Sequence, residues 1–158
     1  MTLRPNFAFS HPAHAIALGF GAGLAPVAPG TLGTLLGWAI AAALADMPPA
    51  LMLGLVALFF LVGLWACEVT GRHLGVSDHS GIVWDEVVAF LLVLAIIPTE
   101  PAWQLAAFVL FRAFDILKPP PIRHFERRYG GGFGVMFDDL VAAGYTLLIL
   151  AAAERFFA

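Results

Sequence analysis

Five apolar runs, divided by short connections punctuated with proline and glycine, occupy most of this 158-residue chain. They cover residues 13–45, 51–70, about 82–97, 102–117 and 140–157. No internal repeat, low-complexity tract or linker separates them, so one all-α unit is expected. Whether such runs face water or lipid depends on how much charge is available to cover a surface. Apolar residues make up 61% of the chain and charged residues 12%, and mean hydropathy is +0.90. A soluble domain averages about 25% charged residues. The chain therefore reads as an integral membrane protein. Residues 1–12 carry one Arg and lack the apolar core of a secretory signal, so no cleaved leader is expected. Cys67, the single cysteine, sits in an apolar run, cannot form an internal disulfide and reads as a small buried hydrophobe.

A helix needs about 20 residues to cross the bilayer core, with about 17 as the lower limit. Residues 51–70 and 140–157 meet that length, and the third and fourth runs are short. Val87 to Ile97 is an 11-residue apolar stretch before Pro98, so spanning requires the helix to continue back through Asp85 and Glu86. Those acids are then expected at or inside the membrane boundary. The first run is broken by Ala25-Pro26-Val27-Ala28-Pro29-Gly30 into pieces of roughly 12 and 15 residues, neither able to cross alone. A re-entrant or interfacial half-helix over residues 13–24, followed by a membrane helix beginning near Thr31, satisfies this pattern. Irregular backbone at membrane depth survives only where protein or a wet cavity covers it, so the break itself points to a site. The expected fold is an all-α, polytopic helical membrane protein with about five membrane segments and a broken or re-entrant first region.

With five crossings, Arg4, Arg72, Lys118, Arg123, Arg127 and Arg128 fall on one side and Arg155 alone on the other. Lys and Arg concentrate in cytoplasmic connections, so the first side is expected to be cytoplasmic. It also gathers Asp78, His79, Asp85, Glu86, Arg112, Asp115, Asp138 and Asp139. The far side keeps Asp46, Glu100, Glu154 and Arg155 as ordinary solvated ends. A formal net charge of −3 lacks the basic excess of a nucleic-acid binder, and no nucleic-acid partner is expected.

Asp115 lies near the C-terminal end of the fourth run, where the helix macrodipole disfavours a carboxylate. Arg112 and Lys118 stand three residues to either side and share its helix face. A salt-bridge ladder accounts for the trio, and so does a metal or phosphate site, because an ionisable group at a membrane helix end is paired or used. Asp85-Glu86 and Asp138-Asp139 each stand where a helix is expected to begin, and capping alone explains acids there. Two such pairs plus Asp115, on one side of a chain with 11 acids, would repel one another in a partly dry site unless a cation sat among them. Hard carboxylate oxygens suit Mg²⁺, which keeps waters and shares its shell with a substrate phosphate. Lys118 and Arg123 offer the opposite charge, and backbone N–H groups of a helix starting near Thr31 would face an anion. Thr31 and Thr34 are equally suited to cap that helix.

The remaining polar features are weaker. Gly130-Gly131-Gly132-Phe133-Gly134 reads as a flexible connection, without the Lys-Ser/Thr ending of a P-loop. His79 beside Asp78 is a candidate general base or ligand, or a solvated loop residue. His11, His14, His73 and His124 lack zinc-type spacing and read as interfacial. Arg127 and Arg128 suit anionic lipid headgroups, and Trp38, Trp65, Trp84 and Trp103 read as packing or interface anchors.

Four blocks carry a more specific signal. They are Gly19-Phe20-Gly21-Ala22-Gly23-Leu24-Ala25-Pro26-Val27-Ala28-Pro29-Gly30-Thr31-Leu32-Gly33-Thr34, Asp78-His79-Ser80-Gly81-Ile82-Val83-Trp84-Asp85-Glu86, Phe111-Arg112-Ala113-Phe114-Asp115-Ile116-Leu117-Lys118-Pro119-Pro120-Pro121-Ile122-Arg123 and Gly131-Gly132-Phe133-Gly134-Val135-Met136-Phe137-Asp138-Asp139. In order and spacing, from about Gly19 to Gly144, they resemble the phosphatidylglycerophosphatase A family. The resemblance implies a multi-pass, Mg²⁺-dependent phosphatase of the bacterial inner membrane, its site facing the cytoplasm. Its substrate would be the phospholipid phosphatidylglycerophosphate, cut to phosphatidylglycerol and phosphate. The motif positions carried over are Asp78, His79, Asp85, Glu86, Arg112, Asp115, Lys118, Arg123, Asp138 and Asp139.

On that expectation Asp85, Glu86, Asp115, Asp138 and Asp139 are the metal-ligand candidates. Thr31, Arg112, Lys118 and Arg123 are the phosphate-binding candidates, and catalysis is assigned to Asp78, His79, Asp85, Asp115 and Asp139. The nucleophile is either water or a carboxylate. Other phosphatase chemistries lack their parts: the cysteine stands in an apolar run, and neither an Asp-x-Asp pair nor a Ser-Gly-His motif is present. A small cation or solute transporter using the same carboxylates is the alternative, and it requires polar groups spread through the membrane depth. A structural membrane subunit explains Arg127 and Arg128 but not the carboxylates.

Overall fold

Proline starts most helices of this protein. In the computed structural model, α1 (Pro5–Ala8), α2 (Pro12–Ala17), α3 (Pro29–Ala43), α4 (Pro49–Leu74) and α6 (Pro101–Leu117) each begin on one. At that position the missing N–H has no intrahelical partner to lose, and the fixed φ is already helical. The other helices are a 3₁₀ segment (Gly19–Leu24), α5 (Trp84–Leu94) and α7 (Gly131–Phe157). The structure describes residues 3–120 and 129–157. Arg123, His124, Arg127 and Arg128 lie outside the described residues. Among those described, every regular element is helical.

The break in the first apolar run is present. α2 ends at Ala17, the 3₁₀ segment turns through Phe20 in left-handed backbone (φ 54°), and α3 starts at Pro29. The Val83 N–H donates to the Ala17 carbonyl at 2.9 Å, so this broken stretch is tied to the start of α5. α5 is the central helix, and nearly all of its side chains are buried. α3 packs beside it in parallel, Gly33 against Val83 and Gly37 against Val87. α4, α6 and α7 complete the bundle around it. Trp84 donates from Nε1 to the Phe59 carbonyl of α4 at 3.0 Å. Phe59 precedes the end of α4 at Leu74 by about 22 Å at 1.5 Å per residue, so the first turn of α5 lies deep between the longer helices.

Two expectations are corrected. Asp138-Asp139 does not stand at a helix start, because α7 begins at Gly131. The glycine-rich stretch is accordingly the first turn of that helix and not a flexible connection. Glycine's poor helix propensity is outweighed by packing: a Cβ on Gly132 would collide with the Leu64 carbonyl of α4, so only glycine lets the backbones meet there. Glu68 secures the contact by accepting from the Gly132 N–H at 2.7 Å while its other oxygen holds Arg72, also at 2.7 Å.

α4 and α7 are long and apolar enough to cross a membrane. α3, α5 and α6, with 15, 11 and 17 residues, are shorter. The outer faces of α4 and α7 expose large apolar side chains, including Leu51, Leu58, Leu61, Trp65, Leu148 and Ile149. Cys67 is buried, as expected.

Candidate active site

Buried carboxylates converge at one end of the bundle. Asp85 and Glu86 occupy the first turn of α5, where the helix N-terminus favours negative charge. Asp139 comes from α7, eight residues beyond Gly131 and therefore about 12 Å inside that helix. One carboxylate oxygen from each of Asp85, Glu86 and Asp139 lies within 4.8 Å of the others. All three residues are at most 8% exposed. Asp85 Oδ1, Glu86 Oε2 and Asp139 Oδ2 are buried without a hydrogen-bond partner. An unpartnered buried oxygen is costly, and three converging ones form a donor set that could accept a cation.

Positive charge faces them from α6. Arg112 Nη1 lies 2.6 Å from Asp115 Oδ2 and 3.6 Å from Glu86 Oε1. Lys118, just past the end of α6, lies 3.8 Å from Asp138 Oδ2. Its backbone is left-handed (φ 42°), as is that of Ala28 (φ 48°) just before α3. Such conformations cost a non-glycine residue about 1–2 kcal/mol each, and both residues line the same cavity. That cavity has a volume of about 240 Å³. Asp78, Ser80, Asp85, Glu86, Arg112, Asp115, Lys118, Asp138 and Asp139 all border it, with the first turn of α3.

The first turn of α3 approaches closely because residue 30 is glycine: a Cβ there would collide with Glu86 Oε1 and lie 3.1 Å from Arg112 Nη2. Two predicted residues stand apart. The Thr31 N–H donates to the Ala28 carbonyl at 3.0 Å, and Thr31 does not border the cavity. His79 Nδ1 accepts from the Gly81 N–H at 3.0 Å, and its side chain borders a neighbouring pocket with Pro29 and Ser80. Thr34, read from sequence as a possible cap, instead donates to the Gly30 carbonyl at 3.0 Å and accepts from Arg112 Nη1 at 3.3 Å. Sequence reading also missed the meeting of His14 Nε2 with His73 Nδ1, 2.7 Å apart across 59 positions, for which no local spacing gives a signal.

The arrangement can hold a hard divalent cation on carboxylate oxygens while Arg112 and Lys118 meet a second anion in the same cavity. Residues 15–154 match the family model described as Phosphatidylglycerophosphatase A. The chain is 46% identical over 146 residues to the Phosphatidylglycerophosphatase A of Haemophilus influenzae, covering 91% of this chain and 90% of the relative. It is 42% identical over 142 residues to the Escherichia coli K12 protein of the same name, covering 89% and 83%. A Bacteroides thetaiotaomicron protein, named provisionally as a phosphatidylinositol-3-phosphatase, is 40% identical over 147 residues, covering 88% and 91%. No solved structure matches the chain.

Proposed function

This chain belongs to the phosphatidylglycerophosphatase A family of lipid phosphatases, and we propose that it hydrolyses the terminal phosphomonoester of phosphatidylglycerophosphate at the cytoplasmic face of the inner membrane. The observation that carries this reading is the single cavity in which buried carboxylates face Arg112 and Lys118.

We assign cation binding to Asp85, Glu86 and Asp139, with Asp115 and Asp138 beside them. The donors are all hard oxygens and three of them lack partners, which suits Mg²⁺. When bound, Mg²⁺ supplies charge neutralisation to the phosphate oxygens. Arg112 and Lys118 add preorganised positive charge, with Arg123 as a further candidate. Water attacks phosphorus and gives up a proton, the bond from phosphorus to the glycerol oxygen breaks, and a proton is passed on to the leaving oxygen. Asp78 lines the cavity and is assigned to that proton transfer, with His79 in the adjoining pocket as its alternate.

The five-segment topology, with α3, α5 and α6 as short crossings, belongs to the same proposal. Arg72 at the site end of α4 and Arg155 at the far end of α7 fit the sidedness expected from Lys and Arg placement. A transport path finds no support: among the described residues, the buried carboxylates all border one cavity.

The test is phosphate release from phosphatidylglycerophosphate by detergent-purified protein, with Mg²⁺ and with EDTA, and with phosphatidylinositol 3-phosphate as comparison lipid. Release is expected only with Mg²⁺, and Asp85→Asn and Asp115→Asn should each lower it by about a hundredfold or more. Folded, Mg²⁺-supplied protein that releases nothing from the first lipid would overturn the assignment.

A further inference from the structure

Every acceptor that touches Arg112 does so at one nitrogen. Asp115, Glu86 and Thr34 all approach Nη1, at 2.6, 3.6 and 3.3 Å. Nε is buried with no hydrogen-bond partner. Among the described residues Nη2 makes no hydrogen bond, and it passes over the backbone of Gly30. Nε and Nη2 form the side edge of the guanidinium, whose two parallel N–H groups match two oxygens of one phosphate. The protein thus occupies the third nitrogen and leaves both nitrogens of the bidentate edge without an acceptor among the described residues.

The two carboxylates do not set that orientation by themselves: Asp115 stands one turn along the same helix, and Glu86, at 3.6 Å, is beyond hydrogen-bond range and acts as a charge without direction. Thr34 reaches Arg112 from a different helix and is fully buried. Its one hydroxyl proton goes to the Gly30 carbonyl, so Oγ1 presents a lone pair to Nη1.

We propose that Thr34 is the positioning residue that turns the Nε–Nη2 edge of Arg112 toward the terminal phosphate of the substrate. The proposal rests on the phosphatase reading above for its ligand, and on the geometry of Thr34 and Arg112 for its mechanism.

A double-mutant cycle tests it with Thr34→Val, Thr34→Ser, Arg112→Lys and the Thr34→Val/Arg112→Lys pair. Valine keeps the shape and removes the hydroxyl, and serine keeps the hydroxyl. Binding of inorganic phosphate is read by ³¹P line broadening, beside KM and kcat for the lipid and the thermal midpoint in detergent. Thr34→Val is expected to weaken phosphate binding and raise KM by about tenfold, with Thr34→Ser within about threefold of wild type. In the Arg112→Lys background Thr34→Val should change phosphate binding no further, since the two residues act as one unit. Should valine fail to fold, Thr34→Ala is read the same way. Equal losses from Thr34→Val in both backgrounds, unchanged binding in Thr34→Val, or no phosphate binding by wild type would each overturn the proposal. Wild type that binds phosphate through this cycle yet releases none from the lipid would instead defeat the broader reading and leave the role of Thr34 standing.

Discussion

Asp138 and Asp139 adjoin in sequence but point to different partners, because successive helix positions turn by about 100°. Asp139 joins Asp85 and Glu86, whereas Asp138 reaches Lys118. Asp139→Asn should therefore lower Mg²⁺-dependent phosphate release by about a hundredfold. Asp138→Asn should act mainly by releasing Lys118, seen as a larger change in KM than in kcat. A second residue-scale consequence concerns acid. Burial holds the His14 imidazole below the ordinary histidine range, with lesser contributions from its histidine neighbours. Its Nδ1 lies 3.1 Å from the Phe7 carbonyl and so carries the proton, leaving Nε2 to accept from His73. The unfolded chain then binds protons more readily than the folded one, so stability is lost as pH falls through the ordinary histidine value toward the lower folded one. The thermal midpoint in detergent should drop from about pH 7.5 to about pH 5.5, and His14→Gln should flatten that slope.

At the scale of the element, α7 is the clearest case of tertiary contact overriding local preference. Three glycines in its first turn argue for a loop, yet the close approach to α4 and the Glu68 clamp make it a helix. Gly132→Ala should destabilise the protein by about 1–3 kcal/mol through collision with the Leu64 carbonyl. Gly54, in α4, has open space around its Cβ position. Gly54→Ala should be neutral or stabilising by up to about 1 kcal/mol. Thermal unfolding of both variants in one detergent checks the pair. Where proline marks a start, as at Pro49 and Pro101, the boundary was readable to within two residues, since its effect is local.

On the scale of the whole molecule, the structure has a site end and a plain end. Ser10 belongs to the first and Asp46, beyond α3, to the second, and both are exposed. Single Ser10→Cys and Asp46→Cys variants should react with an impermeant maleimide from opposite sides of oriented inner-membrane vesicles, Ser10→Cys from the cytoplasmic side. Buried Cys67 stays unlabelled. Labelling of both from one side would refute the sided topology.

By itself the sequence determined the helical class, the broken first region, the polar end and the family, because each follows from local pattern: apolar run length, proline and glycine position, charge placement and motif order. The carboxylates, Arg112 and Lys118 were all legible as candidates for the same reason. Only the tertiary structure decided which of them meet. It set His79 and Thr31 outside the carboxylate-lined cavity, drew Thr34 onto Arg112 across 78 positions and placed Asp139 with Asp85 and Glu86. Those contacts join helices far apart in sequence, and their geometry is fixed by close packing at positions such as Gly30 and Gly132 rather than by any local propensity.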